Sequence, residues 1–216
     1  FMFQFAKAFN QPLDQWNVGN VATMDDMFHG ASSMLEGYKR GVGGDGSNGI
    51  DPKLIRTDGD LRAAVTLWRS DREAAELKYG HISQWDTSEV TDMSTLFSDM
   101  EDFNDDISQW NVGNVTKMNS MFSGASSFNQ ALGQWNVGNV TDMSSMFSNT
   151  SSFNQALGQW NVANVTDMGF MFQFAEAFNQ PLGQWNVGNV TTMKNMFFSA
   201  KAFNQPLDQW NVGNVT

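Results

Sequence analysis

The feature that most constrains this chain is a fixed period. The tetrad QWNV places tryptophan at Trp110, Trp135, Trp160, Trp185 and Trp210, twenty-five residues apart each time, and the variant QWDT places Trp85 one period earlier. Trp16 stands in a further QWNV near the start. A repeat of this length is too short to bury its own apolar side chains. It becomes stable only when successive units stack and share one core.

One unit shows what must be buried. In Leu132 to Phe153, Leu132, Trp135 and Val137 stand at i, i+3 and i+5. The Trp–Val pair alternates as a strand does. Met143, Met146 and Phe147 follow at i, i+3 and i+4, the spacing of a short helix face, and Phe153 closes the unit. Thr141 is placed to cap that helix, with Asp142 in its first turn. The unit therefore predicts an α/β repeat solenoid of leucine-rich-repeat type. Each 25-residue coil would carry a short parallel strand and a short helix, with equivalent strands ~4.8 Å apart. Across rows, Leu132 becomes Ile82 or Ile107, and Met146 becomes Leu96. A packed interior tolerates such volume-conserving exchanges. Asn129, Asn154, Asn179 and Asn204 each follow a closing Phe, where stacked carboxamides can bond one another and turn backbone.

The period is broken once. Residues 1–35 read as the C-terminal end of a preceding array, and FMFQFAKAFNQ at 1–11 aligns with FMFQFAEAFNQ at 170–180. Residues 36–56 are a glycine-rich linker. Its DGSNGID stretch resembles a calcium loop, but Arg56 stands where a loop starting at Asp45 needs its bidentate Glu. Residues 57–79 read as a helical N-terminal cap of two helices, over about 60–69 and 71–79. Leu61, Ala64, Val65 and Trp68 form its apolar face, and a Ser70/Glu73 capping box restarts the helix. The exposed end of a stack needs such a cover. Residues 80–216 are the second array, with six tryptophan rows. Because Phe1 and Thr216 both fall inside repeats, the chain is expected to be a section of a longer tandem protein.

Composition narrows function more than it names it. The formal net charge of −11 argues against a nucleic-acid partner, which needs a basic stripe. No cysteine is present, so neither a disulfide framework nor thiol chemistry is available. No apolar run is long enough to span a membrane. His29 and His81 lie far apart without metal-ligand spacing, and no nucleophile–base pair recurs, so no catalytic residue and no enzymatic activity is expected.

The phrases WNVGNVTKMNSMFSGASSFNQ at 110–130 and WNVGNVTDMSSMFSNTSSF at 135–153 resemble the BspA-like leucine-rich-repeat surface-protein family. Its repeat unit is also known as a lipoprotein-repeat domain of unknown function. The resemblance covers both arrays and the cap, and leaves out the glycine linker. It implies a non-enzymatic cell-surface or extracellular protein with structural and adhesive roles. Partners would be other surface or matrix proteins or glycans, or the chain itself by end-to-end or lateral assembly. The lipobox cysteine of lipoprotein members is absent here, so this section shows no membrane anchoring.

Four candidate sites follow from the pattern. If Trp and Val point inward, then Gln109, Asn111, Gln134, Asn136, Gln159, Asn161, Gln184 and Asn186 form an outward polar ladder, suited to a glycan or other repetitive polymer. Tryptophan facing outward as a sugar platform is the opposing reading, and burial is expected to win. Asn114, Asn139, Asn164 and Asn189 each begin an N-V-T glycosylation sequon. The acidic run Asp99, Glu101, Asp102, Asp105 and Asp106 is a candidate Ca²⁺ site, although its spacing matches no known loop. No other cofactor is implied.

Overall fold

In a computed structural model of the protein, the structure describes residue 55 and residues 57–216. The preceding array at 1–35, the linker apart from Ile55, Trp16, His29 and the Asp45 loop lie outside the described residues.

Two helices precede the coils. Helix α1, Asp58–Ser70, is capped by Thr57, whose side chain accepts the Asp60 N–H, and it buries Leu61, Ala64, Val65 and Trp68 as their spacing predicts. Helix α2, Arg72–Tyr79, starts at a different cap from the expected one. Asp71, not Ser70, accepts the Ala74 N–H at 3.0 Å, while Ser70 Oγ donates back to the Thr66 carbonyl at 3.0 Å. Gly80, at φ 76°, ends α2.

Helix α1 also completes the edge of the first coil. Further along the stack, the Thr116 N–H and hydroxyl both reach the Thr91 carbonyl one coil back, at 2.8 and 3.2 Å. Thr91 has no earlier coil to use among the described residues. Its N–H and hydroxyl instead donate to the Asp58 carboxylate at 2.7 and 3.0 Å. One helical turn on, Arg62 donates to the Ser94 carbonyl at 2.6 Å. The corresponding carbonyl of the next coil, on Asn119, takes the Thr95 N–H. A carboxylate and a guanidinium thus stand in for the backbone groups of a missing neighbour.

The expected α/β repeat solenoid does not form, and the leucine-rich-repeat reading is corrected with it. Among the described residues both α-helices lie ahead of the coils and no strand is present. Neighbouring coils meet at single parallel bridges, Asp92–Lys117, Lys117–Asp142, Asp142–Asp167 and Asp167–Thr192. The reason lies in where the backbone N–H groups go. Met118, Ser120, Phe122 and Gly124 donate outward to the carbonyls of Asp142, Ser144, Met146 and Ser148 in the next coil. The residues between them, Met121, Ser123 and Ala125, close i→i−3 turns. A helix would need all of these donors for itself.

The backbone dihedrals show the same interruption. Ser145 and Asn149 have φ 56° and 58°, and each neighbouring coil repeats the pair at the same places. Left-handed residues end a right-handed helix, so the Met143–Met146–Phe147 face is built from successive tight turns. The Trp–Val stretch alternates in burial without a ladder, because Trp135 and Val140 donate to the Leu132 and Val137 carbonyls nearby. Thr141 caps no helix; its hydroxyl donates to the Thr116 carbonyl of the previous coil at 3.2 Å.

Gly124 occupies one left-handed position, and a Cβ added there would lie 2.5 Å from Asp99 Oδ1. Gly124→Ala should lower stability by about 1–2 kcal/mol. Denaturant unfolding checks this; an unchanged midpoint would mean the turn relaxes freely.

The core is continuous from Ile55 to Met196. Phe97, Phe122, Phe147, Phe172 and Phe197 form one column with ring centroids 5.6 Å apart at every step. A second column, Phe103 to Phe203, lies against it at 4.0–4.2 Å. The tryptophans from Trp85 to Trp185 are buried. Each indole from Trp110 onward also tilts against a Phe of the first column. Each of these indole N–H groups donates to a carbonyl twenty-eight residues earlier, as Trp160 does to Leu132 at 2.9 Å. That satisfies the polar end of an otherwise apolar side chain. Among the described residues no helix is long and apolar enough to cross a membrane.

Candidate functional site

Because Trp135 and Val137 point into the core, the residues between and beside them face water. Gln109, Asn111, Gln134, Asn136, Gln159, Asn161, Gln184 and Asn186 are all exposed and recur in each coil from Trp110 to Trp185. The two halves of the ladder differ in chemistry. Each Asn has its Oδ1 committed to the backbone two residues on: Asn111 to Gly113, Asn136 to Gly138, Asn161 to Ala163 and Asn186 to Gly188, at 3.1–3.3 Å. These carboxamides hold Asx turns. Among the described residues Gln109 reaches only Ser108 Oγ, at 3.3 Å. Gln134, Gln159 and Gln184 make no hydrogen bond among the described residues. The glutamines therefore form the row with donors and acceptors to offer a ligand.

The sequon asparagines occupy a neighbouring row and are structural participants. Asn114, Asn139, Asn164 and Asn189 donate through Nδ2 to the carbonyls of Ser88, Gly113, Gly138 and Ala163, at 2.7–2.8 Å. The nitrogen that would carry a glycan is the one that ties each coil to the last. Asn104, Asn129, Asn154 and Asn179 form a third amide row. Each Oδ1 accepts the backbone N–H of the asparagine one coil later, at 2.9–3.0 Å. The Gln one place further on, Gln130, Gln155, Gln180 or Gln205, donates to the same oxygen.

The acidic run lies beside the cap. Trp68, Arg69, Arg72, Met100 and Phe103 join Asp99, Glu101, Asp102 and Asp105 around an open cleft of about 470 Å³. Its central acid is already engaged: Asp105 accepts Arg72 at 2.6 Å and the Trp68 Nε1–H at 2.9 Å. The Arg72 guanidinium also lies 4.4 Å over the Trp68 ring. Burial acts to lower the Arg72 pKa, but the bonds and charges of Asp105 and Glu76 outweigh it and raise it. Asp106 turns away and accepts the Ser108 N–H at 2.9 Å. Among the described residues no three His, Cys, Asp or Glu side chains converge as a metal site requires. His81 is an edge-on neighbour of Trp68 at 5.4 Å, with Nδ1 2.8 Å from Ser83 Oγ.

The cap contact carries a pH dependence. Burial acts to raise the Asp92 pKa, but the Ser94 hydroxyl and N–H and the charges of Arg62 and Lys117 overcome it and hold it below the ordinary carboxylate value. Ionised Asp92 therefore favours the fold. That contribution is complete above the ordinary carboxylate range, about pH 4, and is lost as pH falls through the lower folded value. The pair is about one-third exposed, so the contribution should be less than about 1 kcal/mol. Asp92→Asn should flatten this part of the acid limb in melts between pH 2 and 5; an identical limb would show that Asp92 is not its source.

Sequence reasoning passed over the Asp58/Arg62 clasp and an exposed aromatic cluster. Phe174 and Phe198 are 37% and 51% exposed, and their rings meet edge to face at 5.5 Å. A signal for the cluster was present: sibling coils carry Asp99, Gly124 or Asn149 in the Phe174 row, and Ser98, Ser123 or Ser148 in the Phe198 row.

No curated protein matches this chain, and no solved structure does. A family pattern does match, at residues 1–40, 67–173 and 130–216, which together take in most of the sequence. The chain belongs to the family described as Mycoplasma protein of unknown function, DUF285.

Proposed function

We propose that this chain is a non-enzymatic structural and adhesion protein of the cell surface or extracellular space, acting through the repeated polar face of its coil stack. The observation that carries the reading is the recurrence of one exposed Gln–Asn pair at a constant step along one continuous core. Weak contacts repeated along a fixed axis add through effective concentration, so a repetitive partner is held although each contact is small. The acidic charge keeps such a surface soluble. The likeness of WNVGNVT and MSSMFS to BspA-like surface proteins supports the location and the adhesive role, independently of the strand-and-helix architecture corrected above.

The test is adhesion of beads coated with the purified chain to surfaces bearing glycoprotein or polysaccharide. Coated beads should adhere or aggregate, and the triple variant Gln134→Ala, Gln159→Ala, Gln184→Ala should reduce this while melting unchanged. Coated beads that behave like bare ones would sink the reading.

A second reading is a recognition module for a glycan or other repetitive polymer along the same face. It is favoured by the unengaged carboxamides of Gln134, Gln159 and Gln184, which can reach successive units of such a ligand.

A further inference from the structure

Phe170, Phe174 and Phe198 break the rule that governs every other coil. Phe170 and Phe174 stand at the two left-handed positions, with φ 60° and 54°. Bulky side chains are least at ease there, and sibling coils use Thr, Ser, Gly, Asn or Asp. Neither ring is fully buried, so core packing does not account for them. Phe174 donates its N–H to the Phe198 carbonyl at 2.9 Å, which fixes the two residues side by side across neighbouring coils. Lys194 Nζ lies 5.8 Å from the Phe170 centroid, and Asn149 and Asn195 are exposed at the same two places of the adjoining coils. The same FMFQFA segment occurs at 1–6, so Phe1 and Phe5 repeat the exception in the sequence of the other array. The exception therefore recurs at the Phe170 and Phe174 places in both arrays, while His29 stands at the place of Phe198.

We infer that Phe174 and Phe198, with Phe170, Lys194 and the flanking carboxamides, form a stacking platform for a single sugar ring. The available area argues for this occupant. Exposed to 37% and 51%, the two rings together offer less than the surface of one aromatic side chain, about 150–250 Å². A stable protein interface needs about 1,000 Å² or more. A pyranose presents a C–H face of the right size to a ring and hydroxyl groups to the amides and the ammonium around it. The platform is separate from the glutamine row. It rests on the proposed extracellular role only in the source of the ligand.

The experiment uses the whole chain against immobilised oligosaccharides of cellulose, chitin and galactan, with calorimetric titration of the strongest binder. The double variant Phe174→Asn, Phe198→Ser places sibling-coil residues at both positions, so it should fold and melt no lower than the parent. The Gln134/Gln159/Gln184 triple variant reports separately on the polar ladder. Expected is binding by the parent and the triple variant, weakened about ten-fold or more in the double variant, as for the loss of one stacked ring. Equal binding by parent and double variant overturns the platform. Binding to none of the sugars does so as well. So does a parent dimer that dissociates in the double variant, which would assign the rings to self-association. Bead adhesion that survives in the double variant while sugar binding is lost leaves the adhesive reading standing, so the two can fail separately.

Discussion

Phe147→Ala should cost about 3–5 kcal/mol of folding stability. Phe147 is fully buried. Its ring stacks on Phe122 and Phe172 at 5.6 Å, on Phe153 at 4.2 Å, and tilts against Trp160 at 6.3 Å. Alanine removes a ring that both neighbouring coils pack against, and backbone bonds on each side hold those coils in place, so collapse into the space is limited. In a stack, coupling passes only between nearest neighbours. A cavity in the middle should therefore also weaken the cooperation of the two halves. Denaturant unfolding should show a lower midpoint together with a smaller or divided transition. A change within about 0.5 kcal/mol, typical of an unimportant surface site, would show that the ring does not lie in the core.

Trp160→Ala should fall in the same range, about 3–5 kcal/mol, and Trp160→Phe separates its two contributions. The indole is 3% exposed, stacked on Trp185 at 6.4 Å, and bonded through Nε1 to the Leu132 carbonyl at 2.9 Å. Phenylalanine keeps most of the apolar contact and loses the hydrogen bond. The Leu132 carbonyl still accepts the Trp135 N–H at 3.0 Å, so it is not orphaned. The phenylalanine variant should thus cost only about 1–2 kcal/mol. Calorimetric melting of the three proteins gives the ordering. A phenylalanine variant as damaged as the alanine variant would assign the inter-coil bond, rather than ring packing, the larger share.

The interior was largely legible from spacing. Period, aromatic content and the positions of Leu132, Trp135, Val137, Met143, Met146, Phe147 and Phe153 identify the side chains that become buried, because a 25-residue unit has no other way to cover them. The buried face of α1 and the exposure of the Gln–Asn rows follow from the same logic. The local backbone was not legible. Met143, Met146 and Phe147 at helical spacing are equally satisfied by a chain of tight turns, since spacing records which side chains face inward and not where the N–H groups point. Thr141 shows the ambiguity at one residue: a hydroxyl before an apolar run suits a helix cap, yet here it serves a carbonyl one coil back. Asp105 shows it for a charge, since an acidic run suggests a cation until Arg72 and Trp68 are found on the carboxylate.

What the sequence determined by itself, then, is the repeat, its register and its hydrophobic content, because these depend on which side chains must leave water. Only the tertiary structure decided how the backbone delivers them. Each coil can close its hydrogen bonds internally as a helix or share them with its neighbours, and the neighbours exist only in three dimensions. The sharing route is the one taken, at the cost of two left-handed residues per coil, and it leaves a stack of turns joined at single bridges in place of strands and helices.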